Sequence, residues 1–148
     1  MGAAGSGFLE DYLPYLLRRA DQTLSERFYA VLTDHGVARS EWRVLAVLEE
    51  LGPLGVNDLA DAALSPQPTV THAVRRLEAR GLVSRTAGAV DRRQRIIAVT
   101  NEGSALTRRL MATARALEAD VLADAGDLGG FIQRLRRLTE AVETRSNS

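Results

Sequence analysis

The chain contains no cysteine. Disulfides, thiolate metal sites and thiol-based redox sensing are therefore excluded as devices of its 148 residues. Lysine is absent too, and all 19 basic residues are arginine. Arginine suits bidentate contacts to phosphate and guanine, although codon bias accounts for missing lysine equally well. Histidine occurs only as His35 and His72, far apart in the chain. No Ser-His-Asp order, HExxH or phosphate-binding glycine loop is present, so the chain does not read as an enzyme. No His/Asp/Glu cluster has ligand spacing, and no metal is expected. Aromatics make up 5% of the residues, so any core must be aliphatic and alanine. No apolar run approaches the ~18 residues of a membrane span. No signal-peptide pattern opens the chain, which points to a cytoplasmic protein with no membrane partner.

What is present concentrates in residues 65–100. Ser65 and Gln67 each precede a proline, which disfavours helical geometry at those two residues. Pro68 fits a first helical turn, where a missing N–H costs nothing. Val70, Val74 and Leu77 then recur at helical spacing. Gly81 suits the left-handed position that ends such a helix. Leu82-Val83 and Ile96-Ile97-Ala98-Val99 read as short β runs around a polar, Gly-containing loop, 86–94. Turning the helix by ~100° per residue places Pro68, His72, Arg75 and Ala79 opposite the apolar stripe, flanked by Thr69, Thr71 and Arg76. Such groups read base edges and grip phosphates, or form an ordinary solvated face. Charge favours the first option. Seven arginines (75, 76, 80, 85, 92, 93, 95) against Glu78 and Asp91 make this stretch +5, and because the chain is neutral the remainder carries −5. A basic island in a neutral protein suits a polyanion on that face alone.

The flanking sequence is helical. From Phe8 to Thr33, Leu9, Leu13, Leu16, Leu17, Ala20, Leu24, Phe28, Val31 and Leu32 predict one long helix, with Pro14 in its early turns or at its start. Ser40 is read as the N-cap of a helix with Trp42, Leu45, Val47, Leu48 and Leu51 inward. Gly52-Pro53-Leu54-Gly55 is read as a turn, and Asn57 as the cap of a short helix from Asp58 to about Leu64. Thr100 or Asn101 caps a second long helix, and Asp127 a last one with Leu128, Phe131, Ile132, Leu135, Leu138 and Val142 on one stripe. Residues 1–7, small and glycine-rich, are read as disordered, and 144–148 as a frayed tail.

Val-Asn-Asp-Leu-Ala at 56–60, then Pro-Thr-Val-Thr at 68–71 and Arg-Arg-Leu-Glu-Ala-Arg-Gly-Leu-Val-Ser-Arg at 75–85, then Asp-Arg-Arg-Gln-Arg-Ile-Ile-Ala-Val-Thr-Asn-Glu-Gly at 91–103, resemble the MarR family of winged helix-turn-helix transcription regulators. The resemblance runs from about residue 8 to 142. It implies a mainly α fold with a small β-hairpin wing: one domain over 8–143, with a winged-helix DNA-binding region at 40–100 and dimerisation helices at 8–34 and 104–143. It implies a homodimer on double-stranded operator DNA, most simply as a repressor. Thr69, Thr71, His72 and Arg75 are expected nearest base edges, Gln67, Arg76 and the helix N-terminus at the phosphates, and Ser65, Pro68 and Arg85 elsewhere in the DNA-binding set. Arg92 or Arg93 is expected in the minor groove, with Asp91 orienting Arg93 or Arg85 by a salt bridge. No cofactor is expected. Many relatives release DNA on binding a small aromatic or anionic molecule, and Tyr12, Tyr15, Arg19, Trp42, Arg43 and Met111 fall near that junction. Trp42 reads as plain core as readily as pocket. The other course is a winged-helix protein-interaction module without direct DNA readout, against which the +5 stretch argues.

Overall fold

Val44, Leu45 and Leu48 put one face of helix α3 (Arg39–Leu51) at the centre of the molecule, essentially without solvent contact. The computed structural model describes residues 7–148. Around α3 gather Phe28 and Leu32 of α2 (Leu13–Asp34), Leu59 of α4 (Val56–Ala62), and Val70, Ala73, Val74 and Leu77 of α5 (Gln67–Ala79). Val83 of β2 (Val83–Ala87), Ile97 of β3 (Arg95–Val99), and Leu106 and Leu110 of α6 (Asn101–Leu122) close the same cluster. Burying each of its larger apolar side chains contributes ~1.5–3 kcal/mol, and this mainly aliphatic cluster, with Phe28 as its buried aromatic, holds the elements together.

A short α1 (Phe8–Asp11), a two-residue β1 (Leu54–Gly55) and α7 (Leu128–Ser146) complete the chain. The sheet order is β1-β3-β2, all antiparallel, with Leu54 opposite Ile97, and Val83 to Ala87 opposite Val99 to Arg95. The segment 52–55 is thus a turn only at its start, and its second half is an edge strand.

Several helix starts differ from the sequence reading, each for a local reason. The first long helix is interrupted at Tyr12, whose backbone is extended, because Pro14 has no N–H for an acceptor one turn back and its ring would strike that carbonyl. Burial of Val37 sets the start of α3 at Arg39 behind Ala38, so Ser40 lies inside the first turn and caps nothing. Strand pairing of Gly55 makes that residue the N-cap of α4, and Asn57 is already helical. Gln67 opens α5 despite the proline that follows it. Leu51 is solvent-exposed, and Val44, absent from the sequence stripe, takes a core position in its place. Helix α7 continues to Ser146, through most of the segment expected to fray. The expectation of disorder for residues 1–7 lies, apart from Gly7, outside the described residues.

Two caps stand where the sequence put them. Thr100 Oγ1 accepts from Gly103 N at 3.1 Å, and the Asp127 carboxylate accepts from Gly130 N at 3.1 Å. Helix α6 is clamped to α3 by Glu49, whose Oε1 accepts from Arg108 Nε at 2.7 Å and from Ser104 Oγ at 3.0 Å. The Arg108 guanidinium first, and the Ser104 hydroxyl second, hold the Glu49 carboxyl below the usual carboxylate range. A depressed carboxylate stabilises the fold fully above the unfolded-state pKa and loses that contribution as pH falls through the folded value. Arg108→Ala is therefore expected to destabilise at neutral pH and to flatten the acid limb of the stability curve. Urea titrations at pH values stepped downward from the ordinary carboxylate range check this, and parallel curves for variant and parent would contradict it.

Candidate nucleic-acid interface

Pro66, extended at φ −58° and ψ 143°, ends the preceding turn and delivers Gln67 into α5. Val70, Ala73, Val74 and Leu77 face the core, so the helix has one permitted rotation. That rotation leaves Pro68, Thr69, His72, Arg75, Arg76 and Ala79 exposed on the far side, with Thr71 half-buried at its edge. Gly81 takes φ +71° and stops the helix, as its position suggested. Ser65 is engaged locally, donating from Oγ to Ala63 O at 3.1 Å and from its backbone N to Ala60 O at 3.1 Å. Beside it Leu64 was not singled out by sequence. It holds a left-handed φ of 52° and projects 88% exposed between α4 and α5. Nothing in an Ala-Ala-Leu-Ser run marks that conformation, which leucine rarely adopts.

The wing tip is built by backbone contacts. Gly88 N donates to Gln94 O at 2.7 Å and Gln94 N to Asp91 O at 3.1 Å, closing the loop between β2 and β3. A Cβ on Gly88 would sit 2.6 Å from Asp91 O, so the tip closes this tightly only around glycine. Asp91 Oδ1 accepts the Arg93 backbone N–H at 2.9 Å, an Asx-type turn. This corrects the expected salt bridge: Asp91 shapes the loop by capping the backbone, and neither Arg93 nor Arg85 pairs with it. Arg85 instead donates from Nε and Nη2 to the two Glu78 carboxylate oxygens at 2.7 and 3.1 Å. That fork-to-fork contact lowers the Glu78 pKa and raises that of Arg85, in both cases chiefly through the hydrogen bond.

The arginines thus divide into two groups. Arg85 is held by Glu78. Arg76 Nε lies 3.1 Å from Glu41 Oε1, and Arg80 Nη1 lies 3.8 Å from Glu41 Oε2. Arg80 also donates to Gly36 O at 2.7 Å and His35 O at 3.2 Å, satisfying carbonyls at the end of α2. Arg75, Arg92, Arg93 and Arg95 have no side-chain partner among the described residues. Four uncommitted guanidiniums on the outer face of α5 and the wing form an arginine surface suited to a polyanion.

The six residues expected around a ligand are not closed into one pocket by this single chain. Tyr12 stacks on Phe8 at 4.6 Å between ring centroids, whereas Trp42 sits edge-on to Phe28 at 4.9 Å. Tyr15, Arg19 and Arg43 are exposed and Met111 is half-buried. A recess of about 320 Å³ beside α2 is lined by other residues, Gln22, Thr23, Glu26, Tyr29 and Arg39, with Arg39 3.9 Å over the Tyr29 ring. No helix among the described residues is long and apolar enough to cross a membrane.

Comparison with known proteins places this geometry among regulators. The MarR family profile matches residues 35–94, which run from the end of α2 into the wing. The homoprotocatechuate degradative operon repressor of Escherichia coli is 31% identical over 101 residues, 68% of each chain. A MarR family transcriptional regulator from Silicibacter pomeroyi, SPO1453, is 34% identical, with a TM-score of 0.76 over 90% of this chain and 98% of its own. BpsR of Bordetella bronchiseptica, whose DNA binding is regulated by 6-hydroxynicotinic acid, is 25% identical, with a TM-score of 0.76 over 91% and 98%.

Proposed function

Because this chain belongs to the MarR family of transcriptional regulators, we propose that it is a ligand-responsive repressor that grips a pseudo-palindromic operator as a homodimer. The family acts by binding DNA and carries out no catalysis. The observation that carries the proposal is the set of uncommitted guanidiniums, Arg75, Arg92, Arg93 and Arg95, on one helix face and its neighbouring wing. In this reading α5 enters the major groove, with Thr69, Thr71, His72 and Arg75 toward base edges and Gln67 and the helix N-terminus toward phosphates. The wing follows the backbone, and Arg93 enters the minor groove.

Dimerisation by residues 8–34 and 104–143 is supported by what the single chain leaves uncovered. Helix α7 has no buried residue, and Phe131, Ile132, Leu138 and Val142 lie open along it. Phe8, Leu9, Leu13 and Leu16 are likewise exposed. A second copy covering these faces would set two reading helices ~34–36 Å apart, one turn of DNA. The same assembly would complete a pocket around Tyr12, Tyr15, Trp42 and Met111. There Arg19 or Arg43, neither with a side-chain partner among the described residues, would pair the carboxylate of a small aromatic acid.

Filter binding against sodium chloride tests the central claim. If the free arginines of two protomers release counterions, log K should fall against log salt with a slope of roughly −5 to −7. Selection from random duplexes should return an inverted repeat. A salt-independent affinity, or a selected pool without symmetry, would contradict the proposal.

A further inference from the structure

The Glu41 side chain is 1% exposed and faces the inner edge of the reading helix. Its two oxygens make no well-formed hydrogen bond, and it is held only by the charges of Arg76 and Arg80. A buried ion pair is weak evidence of stabilisation, since apolar residues of similar volume commonly serve the fold as well. Its position says more than its energy. Arg80 is spent on the carbonyls of His35 and Gly36. Arg76, by contrast, comes nearest Glu41 with its Nε, at 3.1 Å, and its side chain stays 56% exposed. Neither of its Nη groups makes a hydrogen bond among the described residues. Arg76 also follows His72 and Arg75 on α5, so its exposed end borders the surface that faces DNA.

We propose that Glu41 is a positioning residue for DNA binding: its buried charge, nearest Arg76 at Nε, draws that guanidinium to the inner edge of α5 so that its exposed Nη end is presented to a backbone phosphate. The guanidinium is planar and rigid, so a charge held beside its Nε limits where the remaining donors can lie. Ordering that otherwise accompanies binding is then complete in the free protein. The inference rests on the reading of α5 as the helix that enters the groove.

The sign of one effect separates this from charge alone. Glu41 is an anion near a polyanion, so Glu41→Gln should tighten DNA binding if only Coulomb repulsion matters. Positioning requires the reverse, a loss of roughly tenfold in affinity for the selected duplex, in the range of couplings between contacting residues. Arg76→Ala should weaken binding at least as much, and Glu41→Gln added to Arg76→Ala should weaken it no further. Glu41→Asp, which keeps the charge but is one methylene shorter, should also lose affinity, and it stands in if Glu41→Gln does not fold. Unchanged or tighter binding by Glu41→Gln overturns the proposal, as does a loss that persists undiminished without Arg76. Arg75→Ala is run alongside: if it weakens binding while Glu41→Gln does not, only the positioning role fails. If Arg75→Ala is also silent, the reading face falls and this proposal with it.

Discussion

Gly103→Ala should destabilise the protein by about 2–4 kcal/mol, although the same change in a free-standing helix would stabilise it by ~1 kcal/mol. Gly103 lies in the first turn of α6, where β2, β3 and the end of α5 converge. A Cβ there would collide with the Leu82 carbonyl oxygen and would sit 2.8 Å from Val99 Cγ2. That carbonyl cannot simply retreat, because it accepts the Thr100 backbone N–H at 3.0 Å. Thr100 is pinned in turn, donating from Oγ1 to Gly81 O at 2.7 Å while capping Gly103 N. The added methyl must therefore break a bond in the cluster or lift α6 from the sheet. For a chain of this size the melting temperature should fall by roughly 10 °C. Gly129→Ala is the control, since its Cβ would meet only Asp127 Oδ1 at an ordinary 3.6 Å. Thermal unfolding of both variants decides: a Gly103→Ala protein as stable as its parent would mean that the α6 junction is looser than described.

Loss of Arg75 should cost about 1–3 kcal/mol per guanine contact and relax the preference for the selected duplex. With two protomers engaged, the loss is counted twice. Loss of Arg93 should act differently. Arg93→Ala should weaken binding to most sequences and, because a minor-groove guanidinium also neutralises backbone charge, make the salt slope shallower by ~0.9 per protomer, hence about two for a dimer. The contrast follows from position: Arg75 projects from the helix face, whereas Arg93 sits at the wing tip, its backbone held by Asp91. Titrations of parent and variants on specific and scrambled duplexes, each at several salt concentrations, separate the two roles. If both substitutions leave affinity and slope unchanged, docking through α5 and the wing is wrong.

Much of this arrangement is legible in the chain because it depends on neighbours within a turn. Spacing put Val70, Val74 and Leu77 inward, and they are buried. Asp127 and one of Thr100 and Asn101 read as caps, and the side chains of Thr100 and Asp127 accept backbone N–H groups of the first turns. The winged-helix kinship is carried by the order of short motifs, and the +5 stretch by itself marks the basic surface. Helix starts were less legible at Ser40 and Asn57, because the burial of Val37 and the pairing of Gly55 outweighed good local capping residues.

Tertiary structure alone decided which arginines are available. Sequence counts seven in the basic stretch, but Glu41, remote in the chain, engages Arg80 and the inner side of the still half-exposed Arg76, and Glu78 takes Arg85. The same holds for β1, a two-residue strand with no periodicity to reveal it. It holds for Gly103, which looks like an ordinary weak point in a helix until Leu82 and Val99 are seen against it. Periodicity, caps and net charge are properties of adjacent residues, so the chain by itself determined most of the helices and the hairpin, the family and the charged face. Ion pairs and close approaches join residues that meet only when helices pack, and an ångström more or less at that meeting sets whether a charge is free for DNA or already held.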